Sequence, residues 1–296
     1  MSIGMSFFRW KKAVDDAAPA ETPSTSPDDL PPFPDEPDII ADKVNPWTGL
    51  TDSMMRGWFQ NDTGELFTGF PITAADTVAD IGCGDGSNAA FCAKFGAKII
   101  LADIDPACIT EASARLNKRP NQPPFETHVT DSNPLPIATG ACTRIICTEV
   151  IEHVPSPEAL LAELVRIGAP GALYLISCPD PVVENIYKKV AHPSYFEAPN
   201  HLRILSHDNL TNYVENAGLE ILSRGSYGFY WAMWWTLFWA CNASTENPRH
   251  PVLDNWARTW QGLITQPDGH KIKHALDDVM PKSQIVIARK VGGVGT

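Results

Sequence analysis

Short apolar runs alternate with stretches whose apolar positions recur at helical spacing from residue 77 to the C-terminal end of the chain. The runs at 77–81, 98–103, 126–130, 144–148, 173–177, 220–225 and 284–288 read as strands, most of them apolar enough to be covered on both sides. Strands alternating with helices predict an α/β fold, a mostly parallel sheet with helices on both faces. Upstream, Trp47, Met54, Met55, Trp58, Phe59 and Phe67 fall at helix-compatible spacing and predict cap helices over 46–74. On a helix, Trp231, Trp234, Trp235 and Phe238 make one aromatic stripe, too apolar to stay in water. It suits a core plug or a dimer seam, with an apolar acceptor pocket or a membrane-interface contact as the alternatives. This helix opens the region 227–282, whose later part reads as an insertion before the last strand.

Residues 13–45 are rich in Pro, Asp, Ala, Ser and Thr and carry few large apolar side chains. Such a segment cannot offset its ordering entropy, so 1–45 is expected to be a disordered acidic tail and 46–296 the domain. Phe7-Phe8-Arg9-Trp10-Lys11-Lys12 reads as a frayed end, with contact to an anionic membrane surface as the alternative.

The net charge of −12 is uneven, because residues 1–14 hold three bases while 15–42 hold nine acids and no base. The body is only mildly acidic, and without a basic stripe it is a poor match for a long nucleic acid. Seven scattered cysteines read as small buried hydrophobes in a reducing compartment. With no apolar core for a leader peptide near Met1 and no run long enough to span a bilayer, the expected location is the cytoplasm.

Asp80-Ile81-Gly82-Cys83-Gly84-Asp85-Gly86-Ser87-Asn88 carries the chemistry. Glycine at every second position lets the backbone turn sharply and approach a ligand where a Cβ would collide. Asp103 closes the next strand, where it can accept hydrogen bonds from ribose hydroxyls. The spacing is G-x-G-x-G with carboxylates before and inside the turn, which would repel phosphates but suit the amino group and sulfonium of S-adenosylmethionine.

In these motifs the chain resembles the Rossmann-like, class I S-adenosylmethionine-dependent methyltransferases, over 75–225 and again at 283–290. The resemblance implies a seven-stranded sheet in the order 3-2-1-4-5-7-6 with the last strand antiparallel. It also implies that Asp131, in Val129-Thr130-Asp131-Ser132, bonds the adenine amino group. The expected cofactor residues are Asp80, Gly82, Cys83, Gly84, Gly86, Asp103, Ile104, Asp131, Ser132 and Thr148.

Thr148-Glu149-Val150-Ile151-Glu152-His153-Val154-Pro155 follows the fourth strand. If a helical turn forms here, Glu149, Glu152 and His153 share one face, a donor set for a divalent metal, and His201 could be a fourth ligand. The run looks like the metal-dependent branch of ubiquinone O-methyltransferases, where the ion is usually magnesium. Two readings stay open. In one, Glu149, Glu152, His153 and His201 hold Mg2+ or another divalent ion; in the other no metal binds and His153 is the general base, with Glu149 beside the cofactor. Loops at the C-terminal edge of a parallel sheet form the rim of a site, so Tyr195, His192 and Arg203 are candidate acceptor contacts. His207 reads only as a helix-start residue. The expectation is a methyltransferase of a small molecule, by metal-assisted O-methylation or by metal-free N- or S-methylation. A non-catalytic cofactor-binding protein is the third reading, and a homodimer fits all three.

Overall fold

The computed structural model describes residues 44–119, 123–243 and 250–291. The tail expected over 1–45, with the 7–12 segment, lies outside the described residues up to residue 43. Residues 44 and 45 already belong to helix α1, Val44–Met55.

Where cap helices were expected to continue, the chain forms three short antiparallel strands, β1 (Trp58–Gln60), β2 (Glu65–Phe67) and β3 (Phe70–Pro71). Gly57, Gly64 and Gly69 all have positive φ and set the turns of this meander. The helix-like spacing of the aromatics ran straight through those turns. Trp58 and Phe67 pack edge to face against each other and bury against the main sheet.

The main sheet holds β4 (Thr77–Ile81), β5 (Lys98–Asp103), β6 (Glu126–Val129), β7 (Cys142–Thr148), β8 (Gly168–Pro179), β9 (Leu219–Tyr227) and β10 (Ser283–Lys290). Their spatial order is β6-β5-β4-β7-β8-β10-β9. Counted along the chain this is 3-2-1-4-5-7-6, and β10 runs antiparallel to both β8 and β9. The chain enters at β4, winds out to β6 and returns to β7, so the C-terminal ends of β4 and β7 flank the switch point where such sheets bind ligands.

The connecting helices are α2 (Ser87–Lys94), α3 (Pro106–Asn117), α4 (Pro157–Ile167), α5 (Pro181–Val190), α6 (His207–Asn216), α7 (Phe229–Ala240), α8 (Pro251–Ile264) and α9 (Gly269–Val279). Asp105, Ser156, Asp180 and His250 each accept a backbone N–H of the helix they precede, and each is followed by proline at the first helical position. That pairing satisfies an orphan donor and presets φ, so these starts are fixed locally.

One core lies between the sheet and α4 and α6, and a second between the sheet, α2, α3 and the meander. The third is the aromatic helix. Burial on α7 is not limited to the stripe: Tyr230 and Trp239 are buried along with Trp231, Trp234, Trp235 and Phe238. α5 and α8 contribute Tyr187, Leu253 and Trp260 to the same cluster. The helix is therefore a core plug. Gly49 of α1 permits it, since a Cβ there would lie inside the Trp231 indole. Beneath it the fully buried Lys273 ammonium bonds both Asp52 and Asp277, tying α1 to α9. Cysteines are all free, and six of the seven are buried.

Candidate active site

The turn after β4 is built as the glycine spacing demands. Gly82, Gly84 and Gly86 have φ of 71°, 50° and 75°, and at Gly86 a Cβ would come within 2.6 Å of the Ala112 Cβ on α3. Gly82 and Cys83 N–H groups both reach the Ala102 carbonyl, at 2.7 and 3.1 Å, locking the turn to the end of β5.

Asp103 is held at that end by the backbone. Gly84 N–H donates to one carboxylate oxygen at 3.0 Å and Asp105 N–H to the other at 2.9 Å. Asp80 lies deeper, and burial pushes its pKa up to about 7 although the Ala89 N–H bonds it and opposes the rise. Its Oδ2 accepts no hydrogen bond. Asp85, expected to present charge in the turn, instead pairs with Arg115 at 2.9 Å.

A cavity of about 450 Å³ opens beside this turn. Gly82, Asp103, Ile104, Asp131, Ser132 and His153 line it. Ser132 adopts φ of 70°, a conformation that non-glycine residues rarely hold without a reason. The apolar wall, Val150, Val154, Leu160 and Leu202, was not among the residues expected. Cys83, Gly84 and Gly86 shape the turn behind the cavity. Thr148 is buried and accepts from Asn88 at 3.3 Å.

The four-residue metal set does not assemble as expected. The chain after β7 makes a single turn, closed by the His153 N–H on the Val150 carbonyl at 2.9 Å, and Glu149 stands before it with φ of 57°. The Glu149 carboxylate accepts from Ser177 Oγ at 3.0 Å and from Lys282 Nζ at 2.9 Å. Glu152, His153 and His201 do converge, with one ligand atom from each within 4.8 Å of the others, all three buried. Both Glu152 oxygens lack a hydrogen-bond partner. Burial first, and then the charge of Glu149, holds the Glu152 pKa well above the usual carboxylate range.

Both imidazoles lie against this carboxylate, their rings 4.9 Å apart and edge to face. His153 Nδ1 lies 3.3 Å from the Pro199 carbonyl, which can only accept, so Nδ1 carries a proton, and its Nε2 lies 3.7 Å from Glu152 Oε1. His201 Nδ1 lies 2.8 Å from Glu184 Oε2, and its Nε2 has no hydrogen-bond partner. Buried donors in this state fit a divalent cation.

The proposed acceptor contacts are placed elsewhere. Tyr195 is buried and donates to Glu184 at 3.0 Å, a support for His201 rather than a rim residue. His192 is exposed and caps the 3₁₀ turn Pro193–Phe196. Arg203 donates to the carbonyls of Ile151, Val154 and Pro155 and so clamps the turn that carries Glu152 and His153. His207 does start α6, and it also pairs with Asp180 at 2.7 Å. Sequence reasoning missed Glu184 and Lys282. A carboxylate in the first turn of an ordinary-looking helix and a lysine just before a strand gave no signal.

Sheet order, glycine turn and pinned Asp103 together define a Rossmann-like domain of the class I S-adenosylmethionine-dependent methyltransferases. The chain belongs to the methyltransferase domain family, whose sequence model matches residues 54–224. It is 30% identical over 164 residues to Methyltransferase GfsG of Streptomyces halstedii, covering 54% of this chain and 58% of that protein. It is 25% identical over 203 residues to the chloroplastic tocopherol O-methyltransferase of Arabidopsis thaliana, covering 64% and 52%. The chain thus spans only about half the length of these relatives. Geranyl diphosphate C-methyltransferase from Streptomyces coelicolor, solved with Mg2+, geranyl-S-thiolodiphosphate and S-adenosyl-L-homocysteine, superposes with a TM-score of 0.52 at 14% identity, over 83% of this chain and 76% of that one. That likeness speaks to the fold alone.

Proposed function

We propose that the protein transfers a methyl group from S-adenosylmethionine to a small-molecule acceptor, by O-methylation assisted by a divalent metal. The observation that carries the cofactor reading is the Asp103 carboxylate, pinned by two backbone N–H groups at the mouth of the cavity, with Asp131 and Ser132 on the same wall. Asp103 would take the ribose hydroxyls, Asp131 and Ser132 the adenine edge, and the glycine turn with Asp80 the methionine end. When bound, the cofactor supplies an electrophilic methyl group on its sulfonium. The chain's part is to hold the acceptor in line with that methyl and to exclude water, which is where most of the acceleration of such a displacement arises.

For the acceptor side, the convergence of one ligand atom each from the buried Glu152, His153 and His201 within 4.8 Å supports a metal. A divalent ion there would lower the pKa of an acceptor hydroxyl. Metal-free N- or S-methylation remains the second reading, favoured by His153 lying on the cavity wall with Nε2 as its basic nitrogen. Titrating the protein with S-adenosylhomocysteine tests the cofactor reading. Turnover of a metabolite extract with isotopically labelled methyl donor, before and after chelation, separates the other two: loss on chelation supports the metal, and indifference to it supports His153 as base.

A further inference from the structure

Resting on that metal reading, we propose that Glu152, His153 and His201 form a one-carboxylate, two-imidazole site that prefers a first-row transition cation to magnesium, and that Glu184 is the positioning residue that makes His201 a ligand. The donor chemistry decides the first half. Magnesium favours oxygen donors and keeps several waters, whereas imidazole nitrogens suit iron, nickel, copper and zinc, with cobalt between iron and nickel in the affinity order. A second carboxylate would have tilted the site towards a hard ion, but Glu149 is engaged by Ser177 and Lys282. Two of the three donors are therefore nitrogen. Glu152 is 1% exposed and His201 2%, which leaves little room for the hydration shell that magnesium retains.

Glu184 decides the second half. It is itself 2% exposed, and its Oε2 lies 2.8 Å from His201 Nδ1 while Tyr195 donates to its Oε1 at 3.0 Å. A carboxylate on Nδ1 fixes the tautomer and the orientation of the ring and leaves Nε2 as the nitrogen for a metal. The phenol holds the carboxylate in turn. This outer pair comes from α5 and from the 3₁₀ turn Pro193–Phe196, so the metal face and the aromatic core beneath it are built on the same elements.

The test uses the full chain, metal-stripped and titrated with Co2+ while the visible absorption bands of the bound ion are followed. Wild type is expected to bind one Co2+ per chain and to keep it in a hundredfold excess of Mg2+. Glu184→Gln is expected to weaken Co2+ binding by roughly 10- to 100-fold with altered bands and unchanged affinity for S-adenosylhomocysteine. Tyr195→Phe should give a smaller shift in the same direction, and it carries the test if Glu184→Gln does not fold. Displacement of Co2+ by equimolar Mg2+ would overturn the selectivity. Equal Co2+ affinity in wild type and the Glu184 or Tyr195 variant would overturn the positioning role while leaving the metal reading intact. No Co2+ binding by wild type would instead sink the metal reading, and this inference with it.

Discussion

Lys282 donates to Glu149 at 2.9 Å across 133 residues of sequence, joining the segment before β10 to the end of β7. Burial opposes the lysine's charge, but the carboxylates of Glu149, Glu184 and Glu152 outweigh it and hold its pKa above the usual value. Removing one partner of a buried pair strands the other. Lys282→Met is expected to lower stability by about 3–5 kcal/mol in urea unfolding. Glu149→Gln should leave Co2+ affinity within about twofold of wild type while Glu152→Gln abolishes it, because only Glu152 stands in the donor cluster.

Gly86 tests the turn. Its φ of 75° and the Ala112 Cβ at 2.6 Å from an added Cβ make Gly86→Ala both strained and overpacked. A loss of about 2–4 kcal/mol is expected from thermal or urea unfolding, more than at Gly140, where an added Cβ meets nothing within 4 Å.

Asp80 predicts a pH dependence of cofactor binding. Its carboxyl, raised to about 7 by burial, is largely protonated below that pH and ionised above it. The ionised form is the one that attracts an ammonium, so affinity for S-adenosylhomocysteine should rise between pH 6 and 8. Asp80→Asn should flatten that part of the profile, measured by calorimetry at each pH.

Asp52 predicts a pH dependence of stability. Burial raises its pKa from 3.8 to about 6, against the pull of Lys273, so the folded state holds this proton more tightly than the unfolded state. Its contribution is complete below pH 3.8 and is lost as pH rises through 6. From pH 7 to pH 5 wild type should gain about 1 kcal/mol relative to Asp52→Asn, read from urea unfolding at the two values.

Much of the fold was legible because its signals are local. β4 and β5 begin and end at the residues their apolar runs mark. What was not legible depends on distant partners or on backbone angles. The positive φ of Glu149 leaves no trace in its neighbours, and the burial of Glu184 exists only because α5 packs on α7. Tyr195 and Arg203 read as rim residues by position, yet their hydrogen bonds point inward to the supports of Glu152, His153 and His201. A stripe on α7 presupposes a wet opposite face, and α5 and α8 remove it.

The most direct measurement is isothermal titration of the protein with S-adenosylhomocysteine, wild type against Asp103→Ala. The account predicts one site per chain in wild type and a loss of about 10- to 100-fold in the variant, the worth of hydrogen bonds to a charged group. An absence of binding heat and of any thermal shift in wild type, or equal affinity in Asp103→Ala, would contradict it.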